Sequence, residues 1–267
     1  MKGWELNLQP EADPLDSDQI IKFMTTTWQP QIQVFDQLAS TNTYASEHAL
    51  PNWAIVVANQ QIAGKGRRGH RFVSPADTGI YLTFVLPAYA QHLKNPGVLT
   101  ASVAVAVLRA IKRVSGIQLA IKWLNDLYLP AGKCGGILIE TVNDDTNCTH
   151  QFIVGIGLNV RQLPKMAQLD QPISGIGVPM TISRNELIAA IYSECCQLYR
   201  QFDSAAILST YRQHCLWYAR QVTAQVAGKA VAGRILGVND RAQLLLASDQ
   251  QVLALDATVA HTIRLQP

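Results

Sequence analysis

None of the cysteines stands in C-x-x-C spacing, and their number, five, is odd (Cys134, Cys148, Cys195, Cys196 and Cys215). Cys195 and Cys196 are adjacent and poorly placed to bridge each other without strain. Neither a disulfide framework nor a structural zinc site is expected to organise this chain, and a reducing compartment is the default. The six histidines are scattered and form no H-E-x-x-H, so no protein metal centre is expected. No apolar run is long enough to span a bilayer, and the N-terminus carries Glu5, Glu11, Asp13, Asp16 and Asp18 where a signal peptide would be apolar. These absences point to a soluble, cytoplasmic protein that does not engage a membrane. Excess charge is missing too: 22 Lys and Arg against 19 Asp and Glu leave a net charge of +3. That is too little for a dedicated nucleic-acid binder.

What is present is ordinary in bulk and unusual in one place. The 267 residues are 48% hydrophobic and 15% charged, enough for one sizeable core and a small satellite domain. The basic residues concentrate in Gln61-Ile62-Ala63-Gly64-Lys65-Gly66-Arg67-Arg68-Gly69-His70-Arg71. Glycines at 64, 66 and 69 let backbone N–H groups converge on one point, because a positive φ carries no Cβ penalty there. Such a nest cradles an anion, and the interleaved guanidinium groups complete the charge balance. A solvated basic loop or a phosphate patch for nucleic acid fits the same residues equally well. No Gly-Lys-Ser or Gly-Lys-Thr follows, so this is not the P-loop.

Residues 1–30 read as a polar, acidic N-terminal extension that becomes mildly amphipathic at Ile20, Ile21, Phe23 and Met24. A strand is expected over Ile32–Phe35, then a helix through Tyr44–Ala49 capped by Ser40-Thr41-Asn42. The apolar runs Ala54–Ala58 and Gly79–Leu86 read as buried strands. Leu99–Val114 has helical apolar spacing and a glycine stop at Gly116. Ile117, Leu119 and Ile121 alternate, which places Lys122 at a strand end. Gly136–Val142 and Phe152–Ile156 follow as strands around a turn at Asn143-Asp144-Asp145. Residues 160–179 look irregular, and Ser183-Arg184-Asn185-Glu186 is a capping box for a helix through Phe202. Short β segments then follow at Val222–Val226, Val231–Leu236, Leu244–Leu246 and Val252–Leu255, with turns at 227–229 and 239–240. The class is α+β, with a main unit over 31–220 and a small antiparallel barrel over 221–267.

Four further motifs accompany the glycine loop in order: Ser40-Thr41-Asn42 before it, then Lys122-Trp123-Leu124-Asn125-Asp126-Leu127, Gly132-Lys133-Cys134-Gly135-Gly136 and Gly155-Ile156-Gly157-Leu158-Asn159. Across Ser40–Val160 this set resembles the biotin–protein ligases. The resemblance implies a class II synthetase-like mixed and largely antiparallel sheet with covering helices, and an SH3-like C-terminal β-barrel. It implies ATP-dependent ligation of biotin to a lysine of a biotin carboxyl carrier domain through biotinyl-5′-AMP, with Mg²⁺ accompanying ATP. The implied biotin contacts are Ser40, Thr41, Asn42, Gln61, Lys65, Gly66, Arg67 and Lys133. The implied nucleotide contacts are Gly64, Gly66, Arg68, Asn125 and Asn159, and the catalytic set is Arg67, Lys133 and Asp126. Only 39 residues precede Ser40, so the repressor-type helix-turn-helix module and sequence-specific DNA binding are not expected. A monomer or a homodimer fits equally well.

The chain departs from the family pattern where Lys65 and His70 replace arginines, Leu124 replaces proline and Phe72 replaces tryptophan. Lysine keeps charge but loses the planar fork of arginine. Two alternatives remain beside biotin ligation at this stage: a lipoate or octanoate ligase or transferase on the same core, and a degenerate paralogue without catalysis.

Overall fold

The structure is a computed structural model; it describes residues 13–26, 29–144, 149–161, 172–179, 181–249 and 251–266. In chain order the elements are α1 (Ser17–Phe23), β1 (Ile32–Leu38), α2 (Thr41–Glu47), β2 (Ile55–Gln61), β3 (Gly79–Pro87), α3 (Ala90–Leu93), α4 (Pro96–Ser115), β4 (Ala120–Lys122), β5 (Asp126–Leu129), β6 (Gly132–Asp144), β7 (Thr149–Asn159), α5 (Arg184–Arg200), α6 (Ser204–Gln213), β8 (Gln221–Val226), β9 (Lys229–Val238), β10 (Leu244–Ser248), β11 (Gln251–Leu255) and β12 (Ala260–Leu265). The first seven strands form one sheet in the order β1-β2-β3-β7-β6-β5-β4, and the last five form a second in the order β11-β10-β9-β8-β12. β1 and β2 are parallel and every other pair in the large sheet is antiparallel. The second sheet is antiparallel throughout and corresponds to the SH3-like unit. This is the α+β architecture expected.

Side chains alternate across a strand, and that alternation divides the core. Ile55, Val57, Phe84, Leu86, Phe152 and Val154 face one side and pack with α4 and α5 in the main core. Val56, Val85 and Ile153 face the other, where they meet Ala45 of α2 and Leu50. α2 is only seven residues long, so it covers part of that second face. Beyond its reach the same face continues through Tyr81, Thr83, Gly155, Gly157 and Asn159, and there the site opens.

Local signals account for the ends of the elements. Pro96 opens α4 and Gly116 closes it at φ 73°, a left-handed C-cap that favours glycine. The Ser183 side chain accepts from Glu186 N at 3.1 Å to start α5. α2 begins at Thr41, three residues ahead of the helix expected at Tyr44, because Ser40 itself is the N-cap and accepts from Thr43 N. Only Ala120–Lys122 of the alternating 117–121 run pairs into the sheet. β6 extends through Asn143 and Asp144, so no turn begins at Asn143; Asp145 lies outside the described residues. The fifth small strand, β12, and helix α6, capped by Asp203 at Ala205 N and Ala206 N, were not separable in the sequence.

Asp13 ties the N-terminal segment to this frame. Its carboxylate accepts from Arg184 Nε at 3.3 Å and Arg161 Nη2 at 3.0 Å. Arg184 is almost wholly buried, with 1% of its side chain exposed, and also donates to Asn59 Oδ1 and Gly79 O. Arg161 in turn donates to the carbonyls of Val178, Pro179 and Ile182.

Candidate active site

The site is a cleft of about 1510 Å³ between the uncovered face of the large sheet, the glycine loop and the near edge of the small sheet. Its inner wall is polar and pre-ordered. Gln61 ends β2 and accepts, through Oε1, from Thr41 N at 2.9 Å and Thr41 Oγ1 at 3.1 Å. Its Nε2 donates to Ser74 Oγ at 2.9 Å. The Thr83 hydroxyl lies 2.8 Å from Thr41 Oγ1 and 2.6 Å from Asn42 Oδ1. Asn42 Nδ2 donates to Glu140 Oε2 at 2.8 Å. Ser40, Thr41 and Asn42 are all buried, so the first turn of α2 presents its polar groups inward.

Two glycines hollow the wall for this arrangement. A Cβ at Gly155 would fall on the Asn42 amide, and one at Gly157 would come within 2.6 Å of the Phe72 ring. The Gly-Ile-Gly spacing of β7 therefore makes room on one face, while Ile156 between them faces the main core.

The glycine loop closes on itself. Gly66 N donates to His70 O at 2.7 Å, Phe72 N to Gly64 O at 2.9 Å and His70 N to Arg67 O at 3.1 Å, with a bridge between Lys65 and Arg71. Arg68 sits at φ 56° and ψ 35° and Gly69 at φ 76°, which turn the chain back sharply. Arg67 is directed into the cleft, where Nη1 donates to Asn125 Oδ1 at 3.1 Å. Burial and the neighbouring Arg68 lower its pKa, an effect opposed by Asp126 and Asp256. Arg68 is exposed at the rim of the cleft, donating to Ala257 O at 3.0 Å and Thr258 O at 2.7 Å.

Opposite the loop, Lys133 Nζ and Asp126 Oδ1 form an ion pair at 2.6 Å, each side chain 21% exposed. The register places Asp126 across from Gly136 and Lys133 across from Tyr128, so the absence of a side chain at Gly136 leaves this pair open to the cleft. A segment after the described end of β7 seals the floor. Pro172 O accepts from Lys133 N at 2.9 Å, Ser174 N donates to Lys133 O, and Ile176 N donates to Asn159 O at 2.7 Å. Gly132 is required there, at φ 147° and with Pro172 O 2.5 Å from any Cβ it might carry. Asn159 is buried and donates weakly to Ser174 O at 3.4 Å, while its Oδ1 has no hydrogen-bond partner.

All the site residues named from the sequence border the cleft or the loop that closes it. Thr83, Ser74 and Glu140 were missed; Thr83 carried a signal, being the one polar residue inside the apolar run Ile80–Leu86. Also missed were the carbonyls of Ala257 and Thr258, which no side-chain motif announces, and Lys122, whose ammonium lies 4.8 Å from the Trp217 ring and 5.5 Å from that of Tyr128. Burial lowers the Lys122 pKa. Trp123 packs against the main core and donates Nε1–H to Ala242 O at 2.7 Å, joining the large unit to the small sheet. The Trp123–Leu124 peptide bond is cis.

Residues 34–159 match the model of the biotin/lipoate A/B protein ligase family. The chain is 29% identical over 229 residues to the bifunctional ligase/repressor BirA of Bacillus subtilis, covering 81% of this chain and 69% of that protein. It is 37% identical over 129 residues to the biotin–[acetyl-CoA-carboxylase] ligase of Paracoccus denitrificans, covering 47% of this chain and 52% of that one. Among solved structures, the biotin protein ligase from Aquifex aeolicus in complex with biotin and ATP superposes with a TM-score of 0.77 at 19% identity, covering 88% of this chain and 99% of that chain; that likeness concerns the fold. The matched segment runs from within β1 to Asn159 and so takes in the strands of the large sheet and all the motif residues above, which makes this part of the chain similar to the biotin/lipoate A/B protein ligase family.

Proposed function

We propose that this protein ligates biotin to a lysine of a carboxylase carrier domain in two steps, with biotinyl-5′-AMP as the intermediate. The observation that carries the reading is the buried Gln61–Thr41–Ser74 and Asn42–Thr83–Glu140 network at one end of a cleft whose other end holds Arg67, Asn125 and the Lys133–Asp126 pair. A ureido ring needs fixed donors and acceptors at close quarters, whereas a purely aliphatic acid needs an apolar slot. Ser40, Thr41, Asn42 and Gln61 supply the former.

In the first step a biotin carboxylate oxygen attacks the α-phosphorus of ATP, forming the mixed anhydride and releasing pyrophosphate. Lys133 faces the carboxylate as a point charge, and Arg67 meets the phosphate with its planar fork, as Lys65 and the backbone of Gly64 and Gly66 line the approach. Arg68 adds positive potential at the mouth. The unpartnered Oδ1 of Asn159 is an acceptor for the adenine amino group, and a buried acceptor without a donor is costly until one arrives. In the second step a carrier lysine amine attacks the acyl carbon, forming the amide and expelling AMP. That lysine is an ammonium at neutral pH, with an ordinary pKa of about 10.4, and in this reading Asp126 orients it and takes its proton.

Mg²⁺ neutralises phosphate charge when it accompanies ATP. Such an ion would be held mainly by phosphate oxygens and water, with Asp126 as the one carboxylate the cleft could offer it among the described residues. The deciding experiment is a mass spectrum of a biotin carrier domain incubated with the protein, ATP, Mg²⁺ and either biotin or lipoate. Biotin addition to one lysine is expected; lipoyl addition in its place, or no addition, overturns the reading.

A further inference from the structure

The small sheet contributes more to the cleft than a wall. Its β11–β12 turn, Asp256-Ala257-Thr258, receives both arginines of the glycine loop. Arg67 Nη2 donates to Ala257 O at 3.0 Å, and Arg68 Nη2 to Ala257 O at 3.0 Å and Thr258 O at 2.7 Å. Asp256 builds that turn: its Oδ1 accepts from Thr258 N at 2.9 Å and Thr258 Oγ1 at 2.8 Å. Its carbonyl accepts from Val259 N and Ala260 N. With those groups so occupied, the carbonyls of Ala257 and Thr258 are left for the loop.

The turn also stands on a fixed base. Trp123 Nε1 donates to Ala242 O, Arg212 Nε to Val238 O and Arg212 Nη2 to Asp240 Oδ1. Ala219 N donates to Ile235 O, and Ile235 N to Arg220 O. The first three of these hydrogen bonds tie the small sheet to Trp123 and α6, outside the loop, and the last two extend the β8–β9 ladder. By contrast, the loop carries three glycines and a non-glycine residue, Arg68, in the left-handed region. Such a segment loses much conformational freedom on ordering and needs outside contacts to hold its shape.

We infer that Asp256 is a positioning residue for the ligase reaction: through its turn it latches Arg67 and Arg68 and holds the glycine loop over the bound adenylate. The inference rests on the ligase reading for its second half only, since loop order in the free protein is a property of the chain alone. Arg67 is shared between Asn125 Oδ1 in the cleft and Ala257 O in the turn, so loss of the turn frees one side of the guanidinium that meets the phosphate. The expected consequence is faster escape of the intermediate, with the biotin-reading wall untouched.

The test is hydrogen exchange of residues 64–71 in the intact, ligand-free protein, paired with the release rate of biotinyl-5′-AMP, for wild type, Asp256→Ala, Asp256→Asn and Arg68→Met. Asp256→Ala should speed loop exchange and adenylate release by about threefold to tenfold, as expected for a few exposed hydrogen bonds. Asparagine retains the oxygen that accepts from Thr258, so Asp256→Asn should behave as wild type; a purely electrostatic role predicts that it fails like alanine. Unchanged loop exchange in Asp256→Ala, with the β8–β12 amides still protected, overturns the inference. Should Asp256→Ala disturb those amides, Arg68→Met decides, and unchanged loop exchange there overturns it as well. A wild-type protein that makes no adenylate would sink the ligase reading and leave the exchange result to stand alone.

Discussion

At Gly155 one methyl group separates an intact polar wall, the one proposed to hold biotin, from a displaced one. The added Cβ of Gly155→Ala would overlap the Asn42 amide, and Asn42 is held on two sides by Thr83 and Glu140. Overpacking of this kind costs about 1–3 kcal/mol, so the variant should stay folded and lose biotin affinity by at least tenfold in a calorimetric titration. Binding at wild-type strength would show that Asn42 does not contact the ligand. In the proposed reaction the Lys133–Asp126 pair divides the two chemical steps. Lys133→Ala should slow pyrophosphate release. Asp126→Asn should leave that release within about tenfold of wild type and depress carrier labelling by roughly 10²–10⁴-fold, the range for a lost general base. Single-turnover measurement of both products checks this. Collapse of pyrophosphate release, with normal transfer from preformed adenylate, would assign Asp126 to the first step through its hold on Lys133.

His92 makes a third residue-scale case. It is buried, its ring stacks on Tyr199 at 3.9 Å and meets Phe202 edge-on at 4.4 Å, and neither ring nitrogen has a hydrogen-bond partner. Burial pushes its pKa from the ordinary 6.5 down to about 4. The unfolded chain therefore binds this proton first. Stability is fully present above about pH 6.5 and is lost as pH falls toward 4, at up to about 1.4 kcal/mol per pH unit. Urea midpoints of wild type and His92→Phe should converge or cross in that window and run parallel above it. A constant difference from pH 7 to 4 would show that the histidine does not titrate with unfolding.

At the scale of elements, termini do more than periodicity to place the site. α2 delivers Ser40, Thr41 and Asn42 because Ser40 caps it, and β2 delivers Gln61 because it runs three residues beyond its buried stretch, through Asn59 and Gln60 to Gln61. α5 starts at Arg184 because Ser183 caps it, and that start sets where the buried guanidinium lies. Ser183→Ala should cost about 1 kcal/mol in thermal or urea unfolding without altering catalysis under saturating substrates. A much larger loss would mean that the cap also positions Arg184.

At the scale of the molecule, Asp13 joins the first described residues to β2, β3, the end of β7 and α5 through Arg184 and Arg161. Removing one partner of a buried pair strands the other charge, which typically costs about 3–5 kcal/mol. Asp77 also lies 3.7 Å from Arg184, but its side chain is 80% exposed and compensates little. Asp13→Ala is therefore expected to cost several kcal/mol, and Asp13→Ala combined with Arg184→Met considerably less than that single change. Additive losses in the double variant would show that the two residues act independently.

The sequence by itself determined the parts that depend on near neighbours. Apolar alternation and runs located β2, β3 and β7, Gly116 stopped α4 and Ser183 started α5. The ordered motifs, through the family they resemble, pointed to residues that border the cleft and its glycine loop. Tertiary structure decided whatever depends on residues distant in the chain meeting across a face. The reason for glycine at 155 and 157 shows only once Asn42 and Phe72, more than 80 residues earlier, rest against them. Nothing near Arg68 in the sequence announced that its Nη2 donates to the Ala257 and Thr258 carbonyls, 189 and 190 residues later. Lys133 and Asp126 were neighbours in sequence, but only the β5–β6 register, with Gly136 opposite Asp126, brought their charges to 2.6 Å in an open cleft. Local patterns encode local geometry; a pairing across strands or sheets is settled by packing, which no short window of sequence contains.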